Sequence, residues 1–402
     1  MSTYSTLLKT PGVSRIIAAQ LTARFPFGML SLAFLLHVEH VHHSYAAAGL
    51  VLAATSIGQA ISGPLTSRWM GRWAMRPVLT LTLIVCFAAM MTFTLVDFSV
   101  PAFMALGFVT GLSVPPVQPA VRTIYPKMVT SNQLTPLFSL DASAQEIIWV
   151  AGPVITTFVG TQIGTHEAIW LAAAFLVGGG VWFIASPEVG RVRIPRSKRA
   201  FGKVLARPTV LLATVAGFLL IGACAAVEAG VVALFGEGSA DSGIALAIFA
   251  AGSLVGGLAL GHVPVGPWAL ARRLSIVFVG MTLAVFMTGL WPLSVTLLIA
   301  GVGIAPALAV MFAIVSSSVK FSDTAEAYGW AGTGQLIGSA LGSAIAGFYI
   351  DRIGGQGGLI VAAAFALVGM IVGVLFHRSL PDLRGRDASP LPDTEPVAIQ
   401  PS

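Results

Sequence analysis

Charge is scarce in this sequence. Asp, Glu, Lys and Arg make up 9% of the 402 residues, against about 25% in soluble domains, which excludes an ordinary water-soluble fold. Cysteine is scarcer still. Cys86 and Cys224 are the two in the chain; they sit far apart in apolar runs and read as buried thiols, which excludes a disulfide framework. No Gly-x-x-x-x-Gly-Lys-Ser/Thr phosphate loop occurs, excluding a nucleotide-driven pump on this chain. An intramembrane enzyme would need His, Asp or Ser nucleophiles clustered on one cavity, and a sensor would bring a soluble signalling domain; neither is legible here. Nothing asks for a cofactor. The first apolar run is long and shows no small-residue cleavage site, so it reads as a membrane span rather than a signal peptide.

What the sequence has is apolar length: 56% of residues are hydrophobic and the mean hydropathy is +0.89. A hydrocarbon core about 30 Å thick needs about 20 apolar residues per helix. Twelve such stretches fall at 13–38, 44–67, 77–97, 100–122, 136–160, 166–187, 208–235, 242–262, 270–291, 294–318, 326–350 and 356–377. The fold class predicted is all-α, a polytopic membrane protein. The long basic segment 188–207 divides the chain into halves 1–187 and 208–378; the Pro-rich tail 379–402 is too poor in apolar residues to fold alone. With the N-terminus inside, every Lys and Arg except Arg24 and Arg352 lies on the inner side, so both termini are expected in the cytoplasm. The seven cations between Arg191 and Arg207 suit orientation and anionic lipid, not nucleic acid. His37, His40, His42 and His43 gather beside Glu39 without tetrahedral metal-ligand spacing, and are read as a polar outer loop.

Against this background a few residues stand out. The stretch Asp141-Ala-Ser-Ala-Gln-Glu146-Ile-Ile-Trp-Val-Ala-Gly152-Pro153 places two carboxylates in an apolar helix. An ionisable group at membrane depth costs at least about 2.5 kcal/mol, so it is paired or used. Arg24 and Glu146 each lie about ten residues into their spans, near mid-depth at about 1.5 Å per residue. Asp141 lies nearer the inner end, with Arg122 and Lys127 as expected partners, and Glu228 nearer the outer end. Pro115, Pro116 and Pro119 break the fourth span around Gln118, and Pro306 breaks the tenth. Breaks of this kind line cavities.

An internal repeat underlies the two halves. A shift of 190 residues pairs Gly111 with Gly301, Pro116 with Pro306, Gln145 with Gln335 and Gly152 with Gly342; a shift of 198 pairs Gly58 with Gly256 and Gly63 with Gly261. Parallel six-helix repeats around a midplane cavity are the architecture of the major facilitator superfamily. The segment Gly63-Pro-Leu65-Thr-Ser67-Arg68-Trp-Met-Gly71-Arg72 resembles that family's motif between helices 2 and 3, with Ser67 at the acidic position and Gly71 one place late. Gly152-Pro153 is similar to part of the drug:proton antiporter motif on helix 5, whereas Gly107 stands where proton-coupled members carry an arginine.

The resemblance implies alternating access: proton-coupled efflux of a small amphiphilic molecule from the cytoplasm, by a monomer in the cell membrane whose partners are solute, protons and lipid. The alternative it leaves open is a permease or uniporter for a sugar or organic acid. It makes spans 1 and 5 neighbours, so an Arg24–Glu146 pair is expected, with Glu146, Arg24 and Asp141 as proton-coupling candidates. It places spans 1, 4, 7 and 10 around the cavity, giving Phe27, Met29, Gln118, Glu228 and Met311 as lining. Gly63, Arg68, Gly71, Arg72, Gly152 and Pro153 become gating residues, and Ser67 removes the acid of the family's inner latch.

Overall fold

The computed structural model describes residues 2–236, 239–385 and 388–393. Among them the regular structure is helical apart from one isolated bridge near the C-terminus. A short helix, α1 (Ser2–Lys9), precedes the first span. That span is not one rod: α2 (Val13–Arg24) passes through a 3-10 turn, Phe25–Gly28, into α3 (Leu30–His42). Pro26, which has no N–H to donate, sits at the start of the turn. The histidines expected in a loop are on α3 or just after it. His37 is buried against Thr165 Oγ1 at 3.0 Å, and His42 meets the Phe98 carbonyl at 2.9 Å.

α4 (Tyr45–Trp73) begins at Ser44, whose hydroxyl accepts from Ala47 N at 3.2 Å. α5 (Met75–Phe93) follows. The fourth span breaks where its prolines demand, between α6 (Val100–Leu112) and α7 (Val117–Ile124). α8 (Ser131–Gln162) starts five residues before the expected apolar boundary because Thr130 and Gln133 form a capping box. α9 (Thr165–Ala185) and the short α10 (Pro187–Arg191) lead to the connecting segment.

The second set comprises α11 (Pro208–Phe235), α12 (Ala240–Leu260), α13 (Ala269–Val285), α14 (Leu290–Val302), α15 (Ile304–Ser318), α16 (Phe321–Ile353) and α17 (Gly355–Leu375). The tenth span breaks at Gly303, not at Pro306. Pro306 lies in the first turn of α15, where a missing N–H costs little. Eleven apolar paths among the described residues are long enough to cross a membrane. α13, with 17 residues, is a twelfth at about 26 Å. The chain is a polytopic all-helical membrane protein of twelve spans.

The sequence repeat is a repeat of contacts. A Cβ at Gly152 would lie 2.8 Å from Gly28 backbone, and one at its counterpart Gly342 would lie 2.1 Å from the Gly222 carbonyl. The same crossing therefore joins α8 to the first span and α16 to α11, and only a glycine fits it. Near the pseudo-axis the repeat mates meet each other: Phe138 and Tyr328, 190 positions apart, have ring centroids 6.3 Å apart.

One apolar core runs from α2, α7 and α8 into α11–α17 and joins both sets at the end that carries the basic residues. The set-to-set contacts lie mainly on α4–α16, α8–α12, α8–α15 and α7–α16. The composition of 379–402 suggests a disordered tail, but its described residues pack on the protein. Leu380, Leu383 and Ala388 are buried, and Leu391 bridges Val319 and Phe321 with backbone bonds of 2.9 and 3.0 Å. A few apolar residues suffice because the segment borrows an existing core edge. Residues 394–402 lie outside the described residues.

Candidate functional site

Between the two sets lies a cavity of about 1170 Å³. Its lining reaches Gly236 and Gly243 at one end and stops at Thr66, Gly329 and Tyr328 toward the basic end. The helix breaks shape its walls: Pro115, Pro116 and Gln118 line it from the α6–α7 joint, and Phe27 and Gly28 from the 3-10 turn. Beneath it, Arg122 stacks on Phe312 with Cζ 3.4 Å from the ring centroid. Phe312 in turn meets Phe138 and Tyr328. The cavity is thus open away from the basic end and closed toward it.

One wall carries a buried polar network. Asp141, fully buried, accepts from Gln20 Nε2 at 2.9 Å, Arg122 Nε at 3.2 Å, Tyr125 Oη at 3.3 Å and Arg24 Nη1 at 3.5 Å. Arg24 also donates to Gln20 Oε1 at 2.8 Å and to Gln145. With its amide oxygen turned inward, Gln118 accepts from Arg122 at 2.7 and 2.8 Å. Two guanidiniums thus surround one carboxylate, and the excess charge of that wall is positive. Arg24, Gln118 and Gln145 line the cavity.

Two further carboxylates, Glu146 and Glu228, line the cavity. Glu146 does not pair with Arg24, whose guanidinium turns to Asp141 and Gln145. Instead Glu146 Oε1 accepts from Ser253 Oγ of α12 at 2.7 Å. Glu228 also lines the cavity and has no hydrogen-bond partner among the described residues. The wall between these groups is apolar, with Trp149, Ile221 and Phe249, as a site for a part-apolar ligand requires.

Phe27, Gln118 and Glu228 therefore line the cavity as the sequence suggests, while Met29 and Met311 do not. Met29 follows the 3-10 turn, whose tighter winding turns it into the packing of α3, α5 and α9, where it is 0% exposed. Met311 is 1% exposed in α15, whose cavity face ends at Leu308 above the Phe312 floor. Lys127 does not reach Asp141; its ammonium lies 4.6 Å from the Phe321 ring centre. Gln20, Tyr125 and Ser253 were not foreseen. Gln20 could have been found, since it sits one helical turn before Arg24 on the same face.

The residues expected from the resemblance to gate divide by place. Gly63 packs against α16: a Cβ at Gly329 would lie 2.6 Å from the Gly63 carbonyl. Ion pairs tie the basic end together despite Ser67, because α16 supplies the acids. Arg68 pairs with Glu326 at 2.5 Å, and Arg199 of the connecting segment pairs with Asp323 at 3.4 Å. Gly202 N and Ser197 Oγ add bonds to the same carboxylates at 2.8 and 2.5 Å. Gly71 lies against the Pro195 carbonyl, 3.2 Å from where a Cβ would be. Arg72 is exposed. Gly152 and Pro153 serve the first-span crossing and the cavity wall, away from the latch.

The sequence profile described as Major Facilitator Superfamily matches residues 16–294 and 235–399. No curated protein matches the sequence. Among solved structures, the chain is similar to the human organic anion transporter MFSD10 (TETRAN) at 15% identity and TM-score 0.70, covering 90% of this chain and 98% of that one. It is similar to the proton:xylose symporter XylE at 12% and 0.72, covering 94% and 97%. A bacterial homologue of the iron transporter ferroportin in an outward-facing state gives 11% and 0.72, covering 90% and 98%.

Proposed function

The chain belongs to the major facilitator superfamily, and on that premise we propose that it exports a small amphiphilic molecule in exchange for protons by alternating access. The halves 1–187 and 208–378 rock about the cavity, the segment 188–207 links them, and both termini face the cytoplasm of a cell membrane. The cation distribution supports that orientation; the cavity, closed at the basic end, then opens outward.

The single observation that carries the coupling is Glu146. Its carboxylate faces the cavity from one half and is held by a hydroxyl of the other. A proton on Glu146 removes a charge and adds an O–H donor, so the charge-assisted bond from Ser253 weakens to a neutral one. Protonation is thereby read by the contact between halves. A ligand shifts such a two-state equilibrium only by its differential affinity for the two states, and a cationic solute group competing with the proton for Glu146 and Glu228 supplies that difference. The apolar wall takes the rest of the solute.

A specific observation favours a second reading. The excess positive charge of the Arg24–Asp141–Arg122 wall suits an anionic solute, so uptake or uniport of an organic acid is the alternative. The relatives include both an organic anion transporter and a sugar symporter.

The test is proton release from purified, weakly buffered protein on addition of lipophilic cations, sugars and carboxylic acids. Release with lipophilic cations, lost in Glu146→Gln, is the expected outcome. Unchanged release in Glu146→Gln moves the coupling to Glu228. Binding of carboxylic acids with proton uptake instead of release selects the alternative.

A further inference from the structure

A second cleft, of about 920 Å³, opens at the basic end between the last turns of α4 and residues 196–201. Arg68, Arg72, Arg196, Lys198 and Arg199 line it, and no carboxylate does. Two of these cations are committed to the latch, to Glu326 and Asp323. Arg72, Arg196 and Lys198 are exposed and have no carboxylate partner among the described residues. Like charges gathered around a concave surface repel one another and raise the local concentration of anions.

We propose that this cleft binds the headgroup of an anionic phospholipid. The chemistry called for is a phosphate diester, which Arg and Lys hold by charge-assisted hydrogen bonds. The surroundings select lipid over a soluble phosphate. Trp69, in the cleft, packs on Trp73 at 5.2 Å, and Trp73 is 47% exposed; indoles of this kind favour the headgroup level. Above them Ile57 and Ile61 are 56% and 46% exposed and continue Leu65 of the cleft at intervals of four. This row lies off the cavity side of α4 and gives an acyl chain an apolar track that ends at the cations. The bound headgroup ties α4 to residues 196–201, whose Ser197 and Arg199 hold Asp323 of α16. Anionic lipid therefore reinforces the latch from outside it.

The test compares the intact protein in nanodiscs of phosphatidylcholine alone and of phosphatidylcholine mixed with phosphatidylglycerol. Unfolding temperature should be higher in the mixture, and the rise should shrink with added salt as the charges are screened. It should vanish in Arg72→Ala/Arg196→Ala/Lys198→Ala. It should persist in Arg191→Ala/Arg193→Ala/Arg207→Ala, which removes the same charge from the same linker but outside the cleft. Equal temperatures in both lipids, or equal behaviour of the two triple variants, overturn the proposal. So does inorganic phosphate or glycerol phosphate reproducing the whole rise in detergent, since the cleft would then take soluble phosphate. Native mass spectra of the wild type need no variant: preferential retention of phosphatidylglycerol supports the site, and equal retention of both lipids overturns it.

Discussion

Asp141 is fully buried with four donors around it, which makes it the residue on which the first half depends. Removing one partner of a buried charge group leaves the others uncompensated, at a cost of about 3–5 kcal/mol. Asp141→Asn, which leaves Arg24 and Arg122 facing each other, should therefore lower the unfolding temperature in detergent strongly. Asp141→Asn/Arg122→Met, with only one guanidinium remaining, should recover part of the loss; equal losses in the two variants would show that Asp141 does not act through Arg122. The Asp141–Arg122 pair was legible in the sequence, because a carboxylate and a guanidinium at membrane depth on consecutive spans have few other options. The Arg24–Glu146 expectation rests on equal depth and on the adjacency of spans 1 and 5 that the resemblance implies. Depth does not fix the direction of a side chain, and Gln20 and Gln145 drew Arg24 the other way.

Among the helices, the crossing of α4 and α16 decides whether the basic end can stay shut. Gly329 has the Gly63 carbonyl where a Cβ would be, so a large side chain there forces the two helices apart. Gly329→Leu should shift the population toward the state open at the basic end. The check is alkylation of Thr66→Cys from that side in a Cys86→Ala/Cys224→Ala background, which should be faster with the leucine present; an unchanged rate would remove the crossing from the gate. Element ends followed local chemistry where that chemistry was strong, as at the prolines of the fourth span. They departed where a cap or a glycine acted instead, as at Thr130 and Gly303.

Across the whole molecule, two ion pairs, a glycine crossing and the aromatic floor hold one end closed while the other stands open. Arg68→Ala/Arg199→Ala removes both pairs. Partly exposed pairs contribute about 0–1 kcal/mol each, so the shift toward the state open at the basic end should be at most about tenfold per 1.4 kcal/mol lost. Distances between spin labels at the two ends of the halves would report it, and an unaltered distribution would leave the closure to packing alone. The sequence by itself determined the solvent, the span count and the repeat, because burying peptide groups in hydrocarbon permits few solutions and each needs about 20 apolar residues. It also marked which charged residues must lie at depth. Only the tertiary structure decided their partners, the acids of the latch and the fate of Met29 and Met311. Those depend on helix rotation and on contacts between residues more than a hundred positions apart, and a period along one chain carries no record of either.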